Sequence, residues 1–190
     1  MRKIPSLFCR NYDGDRLVRD EVVPGCEWVL AGEGRPTEKT DGTCCLIRDG
    51  LFYGRRTLRR GKTPPAGFEP ATDVDPVTGK QEGWVPIGDG PEWSAHRDGL
   101  IYAEGLNGAP LWDATYELVG PKVQGNPYRL DHNDLWPHGA HTLPELLVGR
   151  CFDSVRVFLT GERYEGIVWW HEDGRMAKIK RRDFGLSWPL

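Results

Sequence analysis

Thr43-Cys44-Cys45-Leu46-Ile47, then Arg48-Asp49-Gly50, then Leu51-Phe52-Tyr53, is the stretch that decides the fold class. Two runs rich in β-branched and aromatic residues flank an Asp-Gly step, a strong cue for two antiparallel strands joined by a tight turn. A second hairpin is predicted from Ile167–His171 to Arg175–Ile179 through Glu172-Asp173-Gly174. Further strands are expected at Gly99–Ala103, Ala114–Val119, Val155–Phe158 and Gly166–Trp170. One helix is expected at Leu143–Arg150, with Thr142 as N-cap and Pro144 at its first position. Residues 62–89 hold five prolines and read as a long irregular excursion. Short strands, frequent turns and little helix amount to an antiparallel α+β domain.

Composition agrees with that reading. Glycine and proline supply 24 and 15 of the 190 residues, which favours turns over long helices. A chain of this length is predicted to form one domain, residues 1–190. No apolar run reaches the roughly 18 residues of a membrane span. Pro5 and Arg10 interrupt the basic N-terminus before an apolar leader core can form. The five cysteines are odd in number and none stands in a Cys-x-x-Cys spacing. A reduced, cytoplasmic chain is therefore expected. His138 and His141 are the one close histidine pair and have no Cys or acid at ligand spacing, which argues against a structural zinc site.

Charge sharpens the question of function. The 28 acidic residues outnumber 25 basic ones, for a net charge of −3, and only seven of the basic residues are Lys. Arg55, Arg56, Arg59, Arg60 and Lys62 cluster in eight residues, and Lys178, Lys180, Arg181 and Arg182 in five. Local basic patches on an acidic chain suit either a focused polyanion site or two solvated strand faces.

The chemistry-bearing residues come in a fixed order. Glu38-Lys39-Thr40-Asp41-Gly42 is followed by the Arg55-bearing strand and by Tyr116-Glu117-Leu118-Val119-Gly120. Glu165-Gly166-Ile167-Val168-Trp169 comes next, and thirteen residues after Glu165 stands Lys178-Ile179-Lys180, a separation that suits one hairpin. Lys-x-Asp-Gly alone is common and fits a plain exposed turn. The ordered set is what covalent nucleotidyltransferases use.

On these motifs the chain resembles the ATP-dependent polynucleotide ligase and RNA-capping superfamily. More closely, it resembles the 5′-to-3′ RNA ligase family of vertebrates and its bacterial and viral relatives. Gly83-Trp84-Val85-Pro86, Asn126-Pro127-Tyr128, Pro137-His138-Gly139-Ala140 and Gly185-Leu186-Ser187-Trp188-Pro189 extend the resemblance over nearly the whole chain. It implies an antiparallel-sheet nucleotidyltransferase core that ends just past its last motif, without an oligonucleotide-binding domain.

The resemblance also implies roles. Lys39 is the expected nucleophile, forming a phosphoramidate with the AMP of ATP. An ordinary lysine has a pKa near ~10.4, so about one in 10³ is neutral at pH 7. Positive charge from Lys178, Lys180 and a divalent metal is expected to favour the neutral amine. Both lysines are expected to hold the α-phosphate as compact point charges. Glu165 is implied as the ligand of Mg²⁺ (or Mn²⁺). Glu117 and Arg55 are implied in fixing the ribose and orienting ATP, and Glu38 at the adenine edge. Arg55 and its neighbour Arg56 must point to opposite faces of a strand, and Arg55 is preferred. His138 lies 21 residues after Glu117, where the superfamily places a base-stacking ring, with Tyr128 and Trp136 as rivals. The eight tryptophans and the Cys44-Cys45 pair are read mainly as packing groups. The expected partner is RNA with a 5′-phosphate and a 3′-hydroxyl, and the expected reaction is ATP-dependent sealing. A capping-type guanylyltransferase, a nucleotide- or RNA-end-binding protein without turnover and a Trp-rich carbohydrate-binding module are the alternatives.

Overall fold

The computed structural model describes residues 4–189; the basic start, Met1–Lys3, lies outside them. In chain order the elements are β1 (Phe8–Arg10), β2 (Val18–Val22), α1 (Glu27–Leu30) and β3 (Arg35–Glu38). Then come β4 (Thr43–Arg48), β5 (Leu51–Leu58), β6 (Glu69–Pro70), β7 (Gln81–Pro86) and α2 (Ser94–Asn107). The remainder is β8 (Ala114–Val119), β9 (Asp134–Pro137), α3 (Glu145–Val148), α4 (Phe152–Gly161), β10 (Gly166–Trp170) and β11 (Met176–Lys180). Strand pairs within the sheets are antiparallel, and the class is α+β.

The described residues fall into two compact units. One is Asp41–His138, and the other combines Ile4–Thr40 with residues 139–189. The first carries a six-stranded sheet in the order β6-β7-β5-β4-β8-β9. Strand alternation gives that sheet two chemically different faces. Cys45, Ile47, Tyr116, Leu118 and Leu135 occupy one face and are buried with Ala103 of α2. The opposite face carries a cross-strand row, because Trp84 pairs with Arg55, Cys44 with Glu117, and Glu117 with Trp136.

The second unit has a three-stranded sheet, β11-β10-β3, and the separate β1-β2 pair. Ile167, Trp169, Ala177 and Ile179 face a core shared with Val155, Phe158 and Leu159 of α4. By alternation the other face carries Thr37, Val168, Trp170, Lys178 and Lys180.

Both expected hairpins form, with β4 against β5 and β10 against β11. Two expected strands are helices instead. Gly99–Ala103 lies inside α2, whose buried His96, Gly99 and Ala103 recur at spacings of three and four. Val155–Phe158 lies inside α4, which buries Val155, Phe158 and Leu159 in the same rhythm. A window of four or five residues rich in β-branched and aromatic side chains is too short to show that period. Residues 62–89 are only partly irregular, since β7 pairs with β5 from Tyr53↔Pro86 to Leu58↔Gln81. The helix expected at Leu143–Arg150 shrinks to α3, with Pro144 at its N-cap. Thr142 instead bridges to Thr37. No described helix is long and apolar enough to cross a membrane.

Candidate functional sites

In the β11-β10-β3 unit, charge gathers around one carboxylate. Glu165 has no exposed surface, and Lys39 Nζ lies 2.6 Å from its Oε2 while Lys180 Nζ lies 2.7 Å from its Oε1. Lys39 is delivered by the end of β3, where its N–H donates to the carbonyl of Gly166 at 2.9 Å. Gly166 lets the strands close in: a Cβ there would come 2.1 Å from the carbonyl oxygen of Ile179. Lys178 and Lys180 share a face because they are two apart in β11.

Lys178 is held down to about 8. Burial is the main cause, the charges of Lys39 and Lys180 add to it, and Glu165 and Asp183 oppose it. Asp183 is a second buried carboxylate near these lysines. It pairs with Arg10 through one oxygen, and its other accepts the Lys180 N–H at 2.9 Å. The sequence reading omits it, although an acid three residues after Lys180, placed to accept the Lys180 N–H, is a usable signal.

Glu38 belongs to the same sheet. It pairs with Ile167, in the row that carries core residues, and its carboxylate lies 3.5 Å from Nδ1 of His141. Thr37 is fully buried. Its hydroxyl donates to the Val168 carbonyl at 3.1 Å and accepts the Trp170 indole N–H at 2.8 Å. That bond orients Trp170 on the lysine face, while Trp169 is buried in the core.

In the other unit the organising residue is Glu117. Its Oε1 accepts the Gly42 N–H at 3.0 Å, and its Oε2 lies 2.6 Å from Nε2 of His138. Gly42 is required for this approach, because a Cβ there would come 2.1 Å from the Leu118 carbonyl oxygen and 2.8 Å from Glu117 Cγ. The Asp-Gly step after Lys39 is thus more than a turn former. Asp41 donates its N–H to the Tyr128 hydroxyl at 2.8 Å.

Arg55 lies on the Glu117 face, its Nε 3.3 Å from Glu82 Oε2 and its guanidinium 5.6 Å from the Trp84 ring centre. Arg56 is on the opposite face, over Trp93 at 5.1 Å. The three ring candidates have different surroundings. His138 bonds Glu117 directly, Trp136 is the cross-strand partner of Glu117, and the Tyr128 and Trp136 rings pack with centroids 4.8 Å apart.

Cys44 also lies on this face, directly across from Glu117. Burial pushes its thiol up to about 12, reinforced by the Glu117 charge and opposed by Arg55. The Sγ of Cys44, a carboxylate oxygen of Glu117 and a ring nitrogen of His138 lie within 4.8 Å of one another. Spacing along the chain hid this group, because its members come from two strands and the residue after a third.

Comparison with known proteins points in one direction. The family model described as RNA ligase 1 matches residues 94–190, just over half of the chain. The chain is 27% identical to RNA ligase 1 of Mus musculus, over all of this chain and 82% of that protein. It is 26% identical to RNA ligase 1 of Pongo abelii, over 82% of this chain and 68% of the relative. A shorter match to RNA ligase 1 of Danio rerio is 37% identical, over 43% of this chain and 27% of that protein.

Proposed function

Because this chain belongs to the RNA ligase 1 family, we propose that it is an ATP-dependent RNA ligase built on a nucleotidyltransferase core. In this reading Lys39 Nζ attacks the α-phosphorus of ATP. An N–P bond forms, the α–β anhydride bond breaks, and pyrophosphate leaves with its electron pair. A 5′-phosphate oxygen of RNA then displaces the lysine, and a 3′-hydroxyl attacks the activated phosphate and expels AMP.

One observation carries the reading: Lys39 and Lys180 both pair with the buried carboxylate of Glu165, and Lys178 shares the β11 face of Lys180. Glu165 Oε2 is within hydrogen-bond distance of the proton that Lys39 must lose before it can attack. Lys178 and Lys180 supply positive charge for the α-phosphate and for charge developing on its oxygens.

A divalent ion supplies further charge neutralisation on phosphate oxygens when bound. Glu165 is a hard oxygen donor, and a carboxylate has about four lone-pair sites, so two lysine contacts leave room for Mg²⁺ or Mn²⁺. The family resemblance assigns the ion to Glu165; Asp183 holds Arg10 and the Lys180 N–H. The family resemblance assigns the ribose and base to Glu117, Arg55 and His138 and the adenine edge to Glu38. Glu117 supports such a role as an anchored acceptor for sugar hydroxyls.

Incubation with α-phosphate-labelled ATP and Mg²⁺ should give an acid-labile covalent adduct, absent in Lys39→Ala and in Lys39→Arg. Lys39→Arg keeps a cation beside Glu165, so loss of label there reports lost nucleophilicity and not an unpaired buried anion. Label retained in either variant overturns the assignment. Binding of ATP or RNA ends with no adduct in the unsubstituted protein selects an end-binding role. Preference for GTP selects a capping-type transferase.

A further inference from the structure

We propose that in the nucleotide-free protein Cys44, Glu117 and His138 form a binding site for a zinc-class divalent cation, which competes with the nucleotide contacts assigned above to Glu117 and His138 and is distinct from the hard-metal role of Glu165. The geometry starts from the sheet register. β4 and β8 place Cys44 directly opposite Glu117, and the residue following β9 brings His138 Nε2 to 2.6 Å from Glu117 Oε2. All three candidate ligand atoms lie within 4.8 Å of one another. A tetrahedral ion with ligand bonds of about 2.0–2.3 Å needs donors about 3.3–3.7 Å apart. Small side-chain rotations therefore convert the group into a site, with the ion replacing the proton shared by Glu117 and His138.

The donor set selects the metal. Sulfur, imidazole nitrogen and one carboxylate oxygen suit zinc or cobalt(II), whereas Mg²⁺ demands oxygen donors. Charge also fits, since a thiolate and a carboxylate balance a dication. Burial and the Glu117 charge keep the Cys44 thiol protonated with no ion bound, with Arg55 opposing them, so ion binding releases that proton; the Arg55 charge is partnered by Glu82. With no ion bound, Nε2 of His138 donates to Glu117, so ion binding displaces that proton and leaves the remaining ring proton on the buried Nδ1, which has no hydrogen-bond partner among the described residues. The Gly42 N–H holds the other oxygen of Glu117, which anchors one ligand from behind. Three protein ligands leave a fourth position open for water or a ligand oxygen.

The test uses the full chain without nucleotide, titrated with Co²⁺ in the presence of excess Mg²⁺. One equivalent should bind and produce a near-ultraviolet sulfur-to-cobalt charge-transfer band, and Zn²⁺ should bleach it. Cys44→Ser should abolish the band and weaken binding at least about tenfold. Glu117→Gln should weaken binding comparably while keeping the band, which covers the case of a Cys44 variant that does not fold. No band, displacement by Mg²⁺, or unchanged affinity in both variants overturns the site. Lys39→Ala should leave Co²⁺ binding intact, so the fate of the ligase reading and that of this site are read separately.

Discussion

Glu165 is a buried carboxylate held by two ammonium groups, and the third lysine of that face, Lys178, sits where its charge is unwelcome. Its pKa falls from 10.5 to about 8, so the folded state releases the proton more readily than the unfolded chain. The charge therefore costs stability, which a bound phosphate offsets under the proposed function. Lys178→Met should raise stability at pH 7 by about 1–2 kcal/mol, after allowance for partial solvent screening. It should also reduce adenylylation at least about tenfold through the lost phosphate charge. The sign with pH follows from linkage. The cost is complete below pH 8, shrinks as pH rises and disappears above about 10.5, so the variant's advantage in denaturant melts should fade across that window. An advantage that is absent at pH 7 or independent of pH removes the argument. At this scale the residue types and their order could be read from the chain: Lys39, Glu165, Lys178 and Lys180 stand in motifs whose spacing suits a strand and a hairpin. Cys44 could not be read, because a cysteine beside another looks like core filling until the register shows which of the two faces Glu117.

Helix α2 shows how an element escapes a local reading. Its central residues Gly99-Leu100-Ile101-Tyr102-Ala103 favour strand by composition, yet Ile101 is 71% exposed while Gly99 and Ala103 are buried. The small residues let the helix lie close on the sheet: a Cβ at Gly99 would approach Leu118 Cδ1 at 2.8 Å. Gly108 then ends the helix in a left-handed conformation, with φ at 66°. Packing overrides propensity here, as tertiary burial commonly does. A paired substitution tests this. Gly105 lies in the same helix and meets nothing within 4 Å, so Gly105→Ala should stabilise by about 0.5–1 kcal/mol. Gly99→Leu should destabilise by about 1–3 kcal/mol through overpacking against Leu118. Equal effects of the two substitutions in urea melts would contradict this account of α2. The β4-β5 hairpin behaves oppositely, because its Asp-Gly turn and flanking strands are local signals that tertiary context had no reason to overrule.

Taken whole, the chain is slightly acidic, with a net charge of −3, while Arg59, Arg60 and Lys62 at and beyond the end of β5 are exposed. If RNA phosphates are held there, affinity depends on that local cluster and not on the overall sign of charge. Arg59→Gln with Arg60→Gln should weaken binding to single-stranded RNA and reduce the slope of log affinity against log salt by about 1.4, two contacts at about 0.7 each. An unchanged slope places the RNA contacts elsewhere. By itself the sequence determined the α+β class, both hairpins, and the order in which one Lys-x-Asp-Gly, two acidic strands and one Lys-x-Lys appear. Those features are local, set by turn chemistry, alternation and residue type over a few positions. Only the tertiary structure decided that Gly99–Ala103 and Val155–Phe158 are helical and that Arg55 rather than Arg56 shares a face with Glu117. It alone brought Cys44, Glu117 and His138 together, and it alone put two lysines on one buried carboxylate. Each of those outcomes depends on strand register and on which face is buried, and both are fixed by residues far apart in the chain.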